Sequence, residues 1–294
     1  MFETKIGSLI FKNPVLTASG TWGMGEPFAD FYEYGLLGGV VLKTLTPSPR
    51  KGNPPPRLYE TPAGLLNSIG LENEGFDAFE RRICEENPFS LWKTNVIVSI
   101  AGDEEEDFVR LSERASRLPG IAAIEVNLSC PNVHAGGVTF DARKEDVYRI
   151  VSKVMEKASL PVFVKLSPQH DLVGNAKEVE RAKACAVTIS NTFLGLAIDS
   201  QKKSFVFARK FAGFSGPAVK PLALANVYRV AQAVSLPIIA SGGVASGEDA
   251  LEFLLAGASL VEIGTMAFVK PRLPVEVVEF LEKSCGNVRP TPLP

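Results

Sequence analysis

Eight short apolar runs recur along the chain, near Val15 to Ala18, Gly39 to Lys43, Asn95 to Ile100, Ile121 to Val126, Val162 to Lys165, Ala186 to Ser190, Pro237 to Ala240 and Leu260 to Ile263. Each is too brief for a buried helix and rich in Val and Ile, the pattern of a strand covered on both faces. Between most of them lie amphipathic segments: Glu104 to Arg117, Arg143 to Lys157, Asn175 to Ala184, Leu222 to Ala233 and Gly247 to Ala256. Strands alternating with helices make a parallel sheet, and eight such units predict a (β/α)8 TIM barrel. Ahead of the first core strand, Ile6 to Phe11 is expected to form a small N-terminal hairpin that closes the barrel's bottom. Two connections, Thr44 to Lys93 and Thr192 to Pro221, are too long for simple βα loops, and such insertions build a site's roof or a partner surface. The chain has 294 residues and no Pro/Gly/Ser-rich linker, so residues 1–294 are expected to form a single barrel domain.

Charge excludes some partners. Asp and Glu number 33 against 31 Lys and Arg. No global field therefore recommends nucleic acid or an anionic membrane. Met1-Phe2-Glu3-Thr4-Lys5 lacks the basic and then apolar run of a signal peptide, and no apolar stretch reaches membrane-spanning length, so a soluble, cytoplasmic protein is expected. The four cysteines, Cys84, Cys130, Cys185 and Cys285, form no CxxC pair, and there are two histidines. This chain is expected to hold no metal site, no iron–sulfur cluster and no disulfide.

The strand ends carry the chemistry. Lys43, Asn127, Lys165 and Asn191 each end or follow an apolar run, and one barrel rim would gather all four. Two lysines suit an anionic or electron-rich ligand, while amides suit a flat heterocycle with alternating donors and acceptors. A lysine in that position also simply snorkels to solvent. In Glu125-Val126-Asn127-Leu128-Ser129-Cys130-Pro131-Asn132 a thiol stands among hydrogen-bonding amides, either as a base or nucleophile or as a buried structural cysteine. His134 either tunes that thiol or is merely exposed. Ser241-Gly242-Gly243-Val244 follows the seventh run, Gly264-Thr265 the eighth, and Ser215-Gly216-Pro217 lies upstream. Glycines there let backbone N–H groups approach a phosphate, which predicts a phosphate-bearing cofactor. No GxGxxG follows a strand, so a resident nicotinamide dinucleotide is not indicated.

Through Thr17-Ala18-Ser19-Gly20, Asn67-Ser68-Ile69-Gly70-Leu71, Asn127-Leu128-Ser129-Cys130-Pro131-Asn132, Asn191-Thr192 and Gly242-Gly243, the chain resembles the class 1 dihydroorotate dehydrogenases over nearly its whole length. Gly52-Asn53-Pro54-Pro55-Pro56-Arg57 and the run Asn191 to Asp199 resemble the 1B subclass. There an FMN-carrying catalytic subunit pairs with an electron-transfer subunit holding FAD and a [2Fe-2S] cluster. The resemblance implies oxidation of (S)-dihydroorotate to orotate in de novo pyrimidine (UMP) biosynthesis, with electrons passed through the partner to NAD, and a homodimer as the core of a heterotetramer. It makes Cys130 the base that takes the C5 proton while hydride leaves C6 for N5 of FMN. It implies substrate contacts from Lys43, Asn67, Ser68, Ile69, Gly70, Leu71, Asn127, Asn132, Asn191 and Thr192. FMN contacts are implied for Ser19, Lys43, Thr44, Ser99, Asn127, Lys165 and Ser190, with Gly216, Gly242, Gly243, Gly264 and Thr265 around the phosphate. Ser99 stands where many relatives carry Asn, and Ser190 where an aliphatic residue is usual. The alternatives are a flavoenzyme similar to dihydropyrimidine dehydrogenase and a non-catalytic phosphate-binding barrel.

Overall fold

The computed structural model describes residues 3–25, 28–129 and 139–294. A hairpin of β1 (Thr4–Ile6) and β2 (Leu9–Phe11) leads into β3 (Val15–Thr17) and β4 (Gly39–Val41). The first long insertion holds β5 (Leu58–Thr61), β6 (Gly64–Asn67) and helix α1 (Phe76–Glu86). Then follow β7 (Asn95–Ile100), α2 (Glu105–Ala115), β8 (Ala123–Asn127), α3 (Lys144–Lys157), β9 (Val162–Leu166), α4 (Leu172–Arg181) and β10 (Ala186–Ile189). The second insertion carries β11 (Phe193–Leu196), β12 (Ile198–Asp199), β13 (Ser204–Phe205) and β14 (Phe211–Ser215). The chain ends in α5 (Lys220–Ala231), β15 (Ile238–Ser241), α6 (Gly247–Leu255), β16 (Leu260–Ile263) and α7 (Leu273–Cys285). Strands β3, β4, β7, β8, β9, β10, β15 and β16 pair in parallel and in that order into a closed barrel, the expected (β/α)8 architecture.

All eight expected strands form, with ends displaced by up to two residues. Local capping explains the largest helix displacement. The Asp171 carboxylate accepts the Gly174 N–H at 3.0 Å, so α4 begins three residues earlier than Asn175. It stops short of Ala184, and Lys183, with φ of +65°, continues in left-handed backbone. Pro221 fits the first turn of α5 and moves that start forward from Leu222. Among the described residues between β3 and β4 there is no α-helix, and a 3-10 turn, Tyr34–Leu36, stands where the other βα units carry helices.

The barrel interior is layered. At the bottom Leu16, Val41, Ile97, Ala123, Phe163, Ala186, Ile239 and Leu260 form one buried apolar cluster with Ile6 and Phe11 of the hairpin, which closes that end as expected. Side chains alternate along a strand, so the residues two positions on face the same lumen one layer higher. They are Ala18, Lys43, Ser99, Glu125, Lys165, Thr188, Ser241 and Glu262. Within one step the lumen turns from wholly apolar to largely polar. Outside the barrel, the other strand faces pack against the helices in a larger apolar cluster.

The two insertions meet over the other end. Each contributes two adjacent strands to one antiparallel sheet of order β11-β14-β6-β5, joined where Gly213 of β14 stands opposite Asn67 of β6, with Phe193 opposite Phe214 within the second insertion's own pair. Leu66, Ala197, Phe207 and Ala212 form its own small core. This is the roof that the length of the insertions predicts.

Candidate active site

The polar layer is a connected network. Thr44 and Ser99 hydroxyls lie 3.0 Å apart, Ser99 Oγ donates to Glu125 Oε1 at 3.0 Å, and Thr188 Oγ1 donates to Glu125 Oε2 at 3.3 Å. Lys165 Nζ donates to Glu262 Oε2 at 2.7 Å and lies 3.8 Å from Glu125 Oε2. All five strand positions are buried. Charges this dry persist only when paired. Burial is the main influence on Glu262 and raises its carboxyl to about 7; the Lys165 cation opposes that shift and the Glu125 charge adds to it.

Lys165 therefore does not sit on the rim where the strand-end reading put it. Strand β9 runs one residue beyond, to Leu166, and the ammonium is held inside the lumen by its carboxylate partners. Ser99 stands in the same layer, committed to Glu125.

The rim itself is built from amides. Asn127, at the end of β8, is buried, and its Oδ1 accepts the Ser129 hydroxyl at 2.6 Å. Asn191, just past β10, donates from Nδ2 to the same Ser129 Oγ at 2.6 Å. Thr192 comes next, and its Oγ1 lies 2.2 Å from where a Cβ on Gly213 would stand; Asn67 Nδ2 is 3.2 Å from that same point. Asn67 also donates to the Gly213 carbonyl at 3.2 Å. A continuous line of contacts thus runs from Asn67 through Gly213, Thr192, Asn191 and Ser129 to Asn127. The Asn67 to Leu71 segment is fixed from below by Asn53, whose Nδ2 donates to Ser68 Oγ at 3.0 Å and whose N–H donates to the Ile69 carbonyl at 2.9 Å. Gly70 and Leu71 both have positive φ, 74° and 55°. On the opposite side, Lys43 lines a cleft with Gly23, Met24, Leu45, Asn73, Glu74 and Arg82. Its Nζ is 3.7 Å from the position of a Cβ on Gly20, beside Ser19.

The glycine-rich ends of β14, β15 and β16 also converge. Thr265 Oγ1 donates to Ser215 Oγ at 2.8 Å, tying the turn after β16 to the end of β14. Gly216 has φ of +100° and precedes Pro217 and the short helical turn into α5. Gly243 has φ of +87°, and a Cβ there would stand 2.6 Å from the Lys220 backbone at the start of α5. Only glycine permits both the conformation and the approach. The Ser190 N–H donates to the Ser241 carbonyl at 3.1 Å, which joins this region to the amide rim.

Cys130, Asn132 and His134 lie outside the described residues. Their segment is flanked by Ser129 and by Thr139. Thr139 Oγ1 donates to buried Asp141, and His170 Nε2 lies 2.8 Å from the same hydroxyl. The sequence reading gave no site role to Glu125 and Glu262 in the lumen, nor to Thr188 beside them, Ser129 at the rim or Gly213 in the roof. The first two carried a signal, a carboxylate inside an apolar run. Among the described residues no cluster of His, Cys, Asp or Glu could hold a metal ion, and no helix is long and apolar enough to cross a membrane.

A polar lumen under an amide rim, with glycines beyond strands seven and eight, does not by itself name a family; comparison with known proteins does. Residues 1–284 match the family model of dihydroorotate dehydrogenase. The chain belongs to the dihydroorotate dehydrogenase family. It is 44% identical over 283 residues to the catalytic subunit of dihydroorotate dehydrogenase B (NAD(+)) from Thermoanaerobacter sp. (strain X514), covering 96% of this chain and 92% of that one. The subunits of the same name from Desulforamulus reducens and Bacteroides thetaiotaomicron are 45% and 42% identical. Those alignments cover 95% and 98% of this chain, and 91% and 96% of the relatives.

Proposed function

We propose that this chain is the FMN-bearing catalytic subunit of an enzyme that oxidises dihydroorotate to orotate in pyrimidine biosynthesis, passing electrons through a partner subunit to NAD. The observation that carries the reading is the line of Asn67, Thr192, Asn191 and Asn127 at the mouth of a barrel whose lumen holds a buried ammonium. A planar ring with carbonyl and N–H edges is the ligand such a line of amides matches.

The residues present fit FMN. Thr265, Ser215 and the backbone around Gly216, Gly242, Gly243 and Gly264 would offer hydroxyls and N–H groups to its phosphate, and Ser19 and Thr44 would also hold the cofactor. Lys165 would supply a cation to the reduced ring, and Ser99 and Ser190 would help to hold it. When bound, FMN supplies the hydride acceptor. Lys43, the Asn67 to Leu71 segment, Asn127, Asn132, Asn191 and Thr192 hold the substrate ring. Cys130, next to Ser129, takes the C5 proton as thiolate, whose ordinary value of about 8.5 makes the step faster in alkali.

Residues 1–294 act as one domain, located in the cytoplasm. The chain has no dinucleotide fingerprint and no cysteine cluster, so NAD is reached through a partner carrying FAD and [2Fe-2S]. Exposed Leu58, Tyr59, Leu194, Leu196, Ile198 and Phe211 on the roof support a homodimer as the heterotetramer's core. The purified chain should oxidise dihydroorotate with an artificial acceptor but reduce NAD only once the partner is added. NAD reduction at full rate by the chain alone would refute the partner assignment.

A further inference from the structure

One layer below the rim amides, two buried carboxylates flank one ammonium. The Lys165, Glu262 and Glu125 side chains are 5%, 0% and 1% exposed. Glu125 has both oxygens satisfied, by Ser99 and Thr188. Glu262 is less well served: Oε2 takes the Lys165 ammonium at 2.7 Å, while buried Oε1 has no hydrogen bond of good geometry among the described residues and the neighbouring Ser241 hydroxyl only partly compensates the carboxyl. A carboxylate oxygen so poorly satisfied in a dry lumen is costly, and the same oxygen in a neutral acid is far less so. With all three groups ionised the cluster carries one excess negative charge, and one proton on Glu262 makes it neutral. The ionisable groups facing Glu262 are Lys165 from β9 and Glu125 from β8. Its register partner on β15 is Ser241, whose hydroxyl hydrogen-bonds the carboxyl and weakly favours its charged form, and on β3 it is Leu16.

We propose that Glu262 is a positioning residue for the cofactor ring: it aims the Lys165 ammonium and, by holding or releasing one proton, sets whether the cluster beneath the ring is neutral or negative. This rests on the reading of Lys165 as the cation that serves the reduced flavin ring. A neutral cluster leaves more of the ammonium's field for the reduced, negatively charged ring, and a negative cluster cancels it. Burial and the Glu125 charge hold the carboxyl near neutrality, where the switch acts.

The test is the midpoint potential of bound FMN across the neutral pH range in wild type, Glu262→Gln and Glu262→Leu. Both variants remove the charge, though only Gln keeps the polar shape. Each should bind reduced relative to oxidised FMN roughly tenfold tighter above neutrality, a rise of about 30 mV for a two-electron couple. The extra pH slope of wild type should vanish in both. A purely structural role would spare Gln and damage Leu. FMN bound with unchanged potentials in both variants refutes the assignment alone. Wild type that never binds FMN refutes the underlying reading and the assignment with it. Should neither variant fold, the infrared spectrum of wild-type apoprotein decides, since absence of a neutral carboxylic acid band that titrates near neutrality overturns the proposal.

Discussion

Asn191 Nδ2 donates a 2.6 Å hydrogen bond to Ser129 Oγ, and through that one hydroxyl the rim amide after β10 is locked to Asn127 at the end of β8. Two groups proposed to hold the same substrate ring are thereby pre-oriented before it arrives, which lowers the ordering cost of binding.

Ser129→Ala should remove that lock without touching the barrel core. Each lost bond of this kind is worth about 1 kcal/mol, so orotate affinity should fall roughly tenfold while flavin content stays the same. Spectral titration of the flavin with orotate measures it. Unchanged affinity would mean that the two amides are ordered by the substrate itself.

Gly213→Ala probes the roof. The added Cβ would stand 2.2 Å from Thr192 Oγ1, so Thr192 must rotate away, and Asn67 at 3.2 Å loses its room. The outcome expected is a fold that melts within a few degrees of wild type and orotate binding weaker by on the order of tenfold. Full orotate binding would show that neither Thr192 nor Asn67 touches the ring.

The fold was legible because eight Val- and Ile-rich runs between amphipathic segments leave few other arrangements. The roof was not, since Asn67 and Gly213 pair across 146 residues only after the closed barrel brings both insertions together. The motif residues Asn67, Asn127, Asn191 and Thr192 were legible as a set, and contacts link them. The depth of Lys165 was not, because whether a strand-end lysine snorkels or turns inward depends on partners elsewhere. Those partners, Glu125 and Glu262, sit two residues beyond Ala123 and Leu260 of the apolar plug, a spacing that the sequence contains but does not announce.

Glu262 should also shape stability against pH. Its folded carboxyl titrates at about 7 against an ordinary 4.5, so the native state binds the proton more tightly than the unfolded chain. The cost of ionising it is absent below the ordinary value, grows as pH rises toward 7, and reaches on the order of 3 kcal/mol above that. Burial raises Asp141 in the same direction, but that residue is common to wild type and variant. Urea melts of flavin-free protein should therefore show Glu262→Leu gaining on wild type as pH increases through this window. Parallel stability curves would count against the raised carboxyl.

Cys130→Ala should leave orotate binding within roughly tenfold of wild type, since the rim amides remain. Flavin reduction by dihydroorotate should slow by on the order of a hundredfold or more, and the residual rate should lose its rise with pH. A variant as fast as wild type near neutrality would transfer the base role elsewhere, with His134 tested next.

The most direct measurement mixes the FMN-loaded chain anaerobically with dihydroorotate, and separately with dihydrouracil, while following flavin bleaching and product. Dihydroorotate should bleach the flavin fully and yield one orotate per flavin, with dihydrouracil slower by on the order of a hundredfold or more. Flavin that is bound yet stays oxidised with dihydroorotate, or bleaches faster with dihydrouracil, would contradict the assignment.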